Sequence, residues 1–175
     1  MPDTINQFSQ AFGQGQRSTL FKITGNIPNA NTSEQERVFF IKSGQYPAST
    51  IGFIEVPFKG RKIKRPGDRT FAEWSLTVLQ DEKNNIREDF IGWMNSLNRH
   101  VAITGDSVTD SLFPTWQIEA LQQDDSVSGG QGIELFNCFP TEVGSLEFNY
   151  ETVDTFAEFT VTLQYDYWTS KKTDN

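Results

Sequence analysis

His100 and Cys138 are the only histidine and the only cysteine of this 175-residue chain, so any Ser-His-Asp or Cys-His chemistry would have to use them. Neither has the setting for it. His100 follows Arg99 at the end of a helix-spaced stretch, where positive charge suits the helix dipole and a structural role is expected. Cys138 stands in a strand-like pattern with Phe136 and Phe139, the place of a small buried hydrophobe rather than a nucleophile. One Cys and one His cannot supply the common zinc sites within one chain. Asp124 and Asp125 lack the spaced oxygen ligands of a calcium loop. The GGQG run at 129–132 lacks the Gly-Lys-Ser/Thr end of a phosphate-binding loop. No pattern marks a carboxylate pair for glycoside hydrolysis. The expectation is a protein with no catalytic set, no cofactor and no metal.

The unusual chemistry is electrostatic. Lys59, Arg61, Lys62, Lys64, Arg65 and Arg69 fall within eleven residues and are opposed only by Asp68, a local charge of +5. The chain as a whole carries 15 Lys+Arg against 23 Asp+Glu, so everything outside that strip sums to −13. Three readings fit such a strip. It can be a solvated edge hairpin whose charges prevent edge-to-edge pairing. It can be a nucleic-acid patch, with Phe58 and Phe71 flanking it for stacking. It can be an interface for an acidic partner, including another copy of this acidic chain. The overall charge of −8 disfavours general nucleic-acid binding, because it repels phosphates.

The elements that must position these residues belong to one folded domain, 1–175. Its length and its fifteen Phe, four Trp and four Tyr are enough for a sizeable core. The apolar runs are too short to span a bilayer, the first residues lack the basic and apolar regions of a secretory signal, and a single cysteine fits synthesis in a reducing compartment. Residues 1–18 read as an amphipathic arm, with Ile5, Phe8 and Phe12 at helical spacing. Strands are expected over 20–25, 38–42 and 50–58, with residues 26–35 as a loop and Pro57 at an edge or strand end. The strip, 58–74, reads as an extended loop or hairpin whose turn is Arg-Pro-Gly-Asp, 65–68. Trp74, Leu76 and Val78 alternate with polar residues as a half-buried strand does. A helix is expected over 82–101: Ile86, Phe90, Trp93, Leu97 and Val101 form one stripe, and Asn85 with Glu88 has capping-box spacing. Its outer face carries Arg87, Glu88, Asp89 and Asn95. Residues 124–132 read as a flexible loop. Strands are expected over 115–123, 132–139, 145–151 and 155–168, the last with Phe159, Val161, Leu163, Tyr165 and Tyr167 on one face. Many strands and one good helix predict a small β-barrel or sandwich of packed antiparallel sheets with one flanking helix.

Residues 66–94, PGDRTFAEWSLTVLQDEKNNIREDFIGWM, resemble the signature of contractile-tail bacteriophage tail tube proteins. The matching positions are Gly67, Asp68, Arg69, Thr70, Phe71, Glu73, Trp74, Thr77, Val78, Asp81, Glu82, Arg87, Phe90 and Trp93. FPTEVGSLEFNYET (139–152) and FTVTLQYDYW (159–168) are similar to two further stretches of that family, and the arm and first strand match as well. The loop over 26–37 is longer than usual and the basic arm is more highly charged.

The resemblance implies a small barrel of two packed sheets with one helix on its flank. It implies six copies per ring, rings stacked into a hollow tube inside a contractile sheath, and passage of the genome through that tube. It implies as partners the chain itself, a sheath protein, a tape-measure protein and a baseplate hub, with DNA in transient passage and no stable membrane association. The location implied is the virion tail, assembled in the host cytoplasm. Within that picture, Lys59, Arg61, Lys62, Lys64, Arg65 and Arg69 are expected to contact a neighbouring subunit or ring, and charge reversal at Lys62 and Lys64 to weaken polymerisation. The helix flank with Asp81, Glu82, Glu88 and Asp89 is implied to face a basic sheath surface. The alternatives are a tube protein of a related injection or secretion system, a baseplate tube initiator and, in another class, a nucleic-acid-binding barrel.

Overall fold

The computed structural model describes residues 2–13, 15–100, 105, 109–122, 127–149 and 155–170. Two four-stranded antiparallel sheets face each other. The first has the order β1-β6-β7-β10, formed by Phe21–Gly25, Trp116–Leu121, Val127–Phe136 and Tyr167–Ser170. The second has the order β2-β5-β9-β8, formed by Ile41–Gly44, Trp74–Leu79, Glu158–Gln164 and Phe139–Val143. A separate hairpin pairs β3, Ser49–Phe58, with β4, Arg61–Phe71. Among the described residues no strand pairs from one four-stranded sheet to the other, so the architecture is a sandwich rather than a closed barrel.

Alternation builds the core. Trp74, Leu76 and Val78 on β5, Trp116 and Ile118 on β6, and Phe159, Val161 and Leu163 on β9 are all buried; the residues between them are less so, except Thr162, which is buried as well. Trp116 is the centre of this core. Its ring lies 6.1 Å from Trp74, 6.2 Å from Phe90 and 6.4 Å from Trp93, the last pair nearly parallel. Gly25 makes the room: a Cβ there would stand 2.1 Å from the Trp116 ring.

The flanking helix α3, Asn85–Leu97, delivers Phe90 and Trp93 to that cluster and packs against β8. It is shorter than expected at both ends, and Val101 lies outside the described residues. Its start is also capped differently. Asn84 takes the left-handed conformation at the N-cap, and the Asp81 carboxylate accepts the Asn85 and Ile86 amides at 2.9 and 3.3 Å.

Two further helices appear. Pro2–Phe12 forms α1, which exposes Ile5, Phe8 and Phe12, with the two phenylalanine rings stacked at 5.4 Å. Glu34–Phe40 forms α2, so Val38, Phe39 and Phe40 are helical and only Ile41 onward is strand. A capping box fixes this start: Ser33 Oγ accepts from the Glu36 amide, and the Glu36 carboxylate accepts from the Ser33 amide.

Three other expectations change. Residues 145–149 are irregular, and the strand before them is β8. Residues 127–132 belong to strand β7 rather than a loop. The last strand is two strands in different sheets, because the chain crosses over at Tyr165–Asp166. Tyr167 therefore leaves the buried row and is half exposed.

Candidate assembly interface

All six residues of the basic strip lie on one hairpin, which forms its own two-stranded sheet and meets the core at its base through Phe71. Its turn is Lys59–Gly60, not Arg-Pro-Gly-Asp. Both turn residues have positive φ, 44° and 81°, the conformation of a two-residue turn that matches strand twist. Arg-Pro-Gly-Asp is instead a bulge in β4. The register shifts where Gly52 opposes residues 67 and 68, and a Cβ on Gly67 would lie 3.3 Å from the Gly52 backbone.

The pairs Ile54↔Arg65, Val56↔Ile63 and Phe58↔Arg61 place six side chains on one face. Ile54, Val56, Phe58 and Ile63 form an exposed apolar stripe there, and Arg61 and Arg65 stand at its two ends. The opposite face holds Phe53, Glu55, Pro57, Lys62, Lys64 and Pro66. On that face Lys62 binds Glu55 at 2.6 Å and Lys64 lies 4.6 Å over the Phe53 ring. Lys62 and Lys64 are thus partly satisfied within the hairpin, whereas Arg61 and Arg65 point their charge beside uncovered apolar surface. Phe58 sits at the tip. Phe71 sits at the base against Tyr165, at 6.1 Å, so the two rings that bracket the strip are separated by the length of β4 and do not form one stacking platform.

Six apolar residues between Ile51 and Ile63 are exposed in the single subunit. The sequence carried a sign of this, because GFIEVPF has apolar residues in both alternation phases, more than one buried face requires.

The acidic flank separates into three situations. Glu82 and Glu88 are exposed, and the Glu88 carboxylate accepts a bond from the Asn84 side-chain NH2 at 3.1 Å. Asp81 is the helix cap described above. Asp89 does not lie on the outer face: only 4 % of it is exposed, and it accepts from the Asn31 and Thr32 amides at 2.8 and 3.0 Å and from the Thr32 hydroxyl. Arg37, also buried, donates to the Thr32 carbonyl at 2.5 Å. Burial holds the Arg37 guanidinium below its usual range, against the pull of Asp89. This group ties the 26–33 loop and α2 to α3.

The candidates for catalysis stay apart. His100 is exposed beyond the end of α3. Cys138 is fully buried in the β7–β8 crossover, donates to the Leu135 carbonyl and has its thiol pushed up to about 12 by burial. Asp124 and Asp125 lie outside the described residues. Among the described residues no group of three His, Cys, Asp or Glu side chains is placed to hold a metal.

The fold is a two-sheet sandwich with an exposed, basic and apolar hairpin. A family model described as "Phage tail tube protein" matches residues 4–171, and the chain belongs to that family. It is 29% identical to the tail tube protein gp19 of Enterobacteria phage T4 over 169 residues, covering 94% of this chain and 98% of that protein. It is 26% identical to the tail tube protein of Serratia phage KSP90, covering 93% and 94%. In fold it resembles a chain of the PVC sheath-tube complex, an extracellular contractile injection system in its extended state. The TM-score there is 0.66 at 15% identity, covering 94% and 96%. The tube-terminating cap of the anti-feeding prophage gives a TM-score of 0.64 at 18% identity, covering 89% and 90%.

Proposed function

We propose that this protein is the repeating structural subunit of a contractile tail's inner tube. Six copies form a ring, rings stack head to tail, and the genome passes down the lumen into the host. The observation that carries this is the β3–β4 hairpin, with its apolar stripe bracketed by Arg61 and Arg65 and left uncovered in one subunit. A hairpin that meets a different surface on the next copy makes a heterologous contact, and such contacts propagate into filaments. The −13 outside the strip suits a conduit for DNA, because repulsion keeps the wall from gripping phosphates. The sheath, tape-measure and baseplate proteins are the partners of this assembly in the virion, and its role is mechanical rather than catalytic. The likeness to injection-system chains supports a second setting, a tube that delivers cargo other than a genome.

Negative-stain electron microscopy of the purified protein, over time and at two salt concentrations, tests this. Six-fold rings or hollow tubes are expected, with fewer or shorter tubes at high salt and in R61E/R65E. Persistent monomers that retain DNA on a filter would replace the tube with a nucleic-acid-binding module.

A further inference from the structure

The second sheet carries a cleft on its outward face, of about 670 Å³. Its floor is Thr77 and Thr160, and its walls come from residues 144–149 and 155–157. Glu142, Glu147 and Glu158 line it, and no Lys or Arg lines it among the described residues. Glu158 is paired with Lys42 outside the cleft, whereas Glu142 and Glu147 are exposed. Phe148 and Phe156 stand at the cleft 82% and 86% exposed, among the most uncovered apolar side chains described. The cleft therefore combines negative charge with two bare aromatic rings.

The hairpin tip presents the complementary set. Phe58, Val56 and Ile63 are uncovered, Arg61 and Arg65 bracket them, and Lys59 adds charge at the turn. We propose that the hairpin tip of one copy docks in the Glu142–Glu147–Phe148–Phe156 cleft of a second copy. Phe58 packs on the exposed phenylalanines, Arg61 and Arg65 lie against Glu142 and Glu147, and guanidinium groups can also stack on the rings. This covers the hairpin's apolar stripe and the two exposed cleft phenylalanines in one contact. The donor and acceptor surfaces differ, so the contact does not close on itself and leaves a free tip and a free cleft at opposite ends of each chain of copies. The inference rests on the proposed tube reading and names the surface that receives the hairpin.

The test compares wild type with R61E/R65E, E142K/E147K and the combined four-site variant, by electron microscopy and by the critical concentration for sedimentable tubes. All four altered positions are exposed, and thermal melting verifies that each variant folds. Each double reversal is expected to raise the critical concentration at least about tenfold, and the combined variant to return most of the way to wild type. A K59C and F148C mixture, oxidised during assembly, gives a second readout: disulfide-linked dimers are expected from the mixture and not from either variant alone, native Cys138 being buried. If wild type forms tubes and E142K/E147K forms them equally well, with no K59C–F148C product, the cleft is not the seat and the inference fails while the tube reading stands. If wild type forms neither rings nor tubes, the tube reading fails, and the docking inference falls with it.

Discussion

The side-chain amide of Asn137 donates to the carboxylate of Asp166 at 2.6 Å, joining the two places where the chain passes from one sheet to the other. Asn137 belongs to the crossover from β7 to β8, and Asp166 to the crossover from β9 to β10. The Asp166 amide adds a bond to the Phe136 carbonyl at 3.0 Å, and the Phe136 and Tyr167 rings stack at 4.9 Å. Asn137 has φ 57°, which asparagine tolerates better than most residues. Both side chains are exposed, so Asn137→Gly, which keeps the backbone conformation, should lower stability by about 1 kcal/mol. Asn137→Ala should cost about 1 kcal/mol more through backbone strain. In melting experiments each kcal/mol corresponds to about 2–4 °C at this chain length. Equal melting temperatures for wild type and both variants would deny the corner this role.

Asp89 should be the most sensitive carboxylate of the acidic flank. It is buried, it accepts three hydrogen bonds from residues 31 and 32, and it faces the buried Arg37. Asp89→Ala strands those donors and leaves a buried cation without compensation, so a loss of about 3 kcal/mol is expected in chemical denaturation. Glu88→Gln, one residue away but exposed, should change stability by less than about 0.5 kcal/mol. Similar effects from the two substitutions would overturn the distinction drawn between them.

Which parts of this were readable in advance follows from how local each signal is. Trp74, Leu76 and Val78, and the Ile86–Phe90–Trp93–Leu97 stripe, announce themselves by spacing alone, and the structure buries them accordingly, with Leu97 partly exposed. Val38, Phe39 and Phe40 favour strand by residue type, but the Ser33–Glu36 capping box starts a helix that runs through them. Pro66–Gly67 has turn chemistry, yet the turn forms at Lys59–Gly60 because the 53–58 and 61–66 pairing fixes the register, and the earlier motif becomes a bulge. The crossover at Tyr165–Asp166 has no glycine or proline to mark it. The six cations of the hairpin were legible because they fall within eleven residues of the sequence. The cleft was not, because β8, β9 and the chain beside them form it only on folding.

Cys138 should be chemically silent in the folded protein. Burial raises its thiol to about 12 from an ordinary value near 9, so almost no thiolate exists at pH 8. A thiol reagent at that pH should label it at least about a hundredfold faster in denaturant than in buffer. The same shift gives stability a sign with pH. Between about pH 9 and 12 the unfolded chain has lost this proton and the folded chain retains it, so this group's contribution is intact below pH 9 and declines as pH rises. Cys138→Ala should flatten that alkaline decline relative to wild type, while lowering stability at pH 7 through the cavity it leaves. Rapid labelling in native buffer would place the thiol at the surface instead.

Val56 and Ile63 separate assembly from folding. They oppose each other across the hairpin and are 48% and 44% exposed in the single subunit. Val56 and Ile63 lie outside the core cluster, so V56S/I63S removes little buried surface from the subunit. Its melting temperature should stay within about 2 °C of wild type. Assembly should respond differently, because the stripe between Arg61 and Arg65 is what a neighbouring copy would cover. Burial of apolar surface is worth about 25 cal/mol per Å², and every subunit in a tube repeats the contact, so even a modest loss per copy is expected to shorten or abolish tubes in micrographs. High salt screens the like-charge repulsion that R61E/R65E introduces, so tubes of that variant should recover in part at high salt, while those of V56S/I63S, which loses apolar area and gains no repulsion, should not. A V56S/I63S variant that forms tubes like wild type would show that the apolar stripe stays solvated in the assembly and that charge alone holds the hairpin.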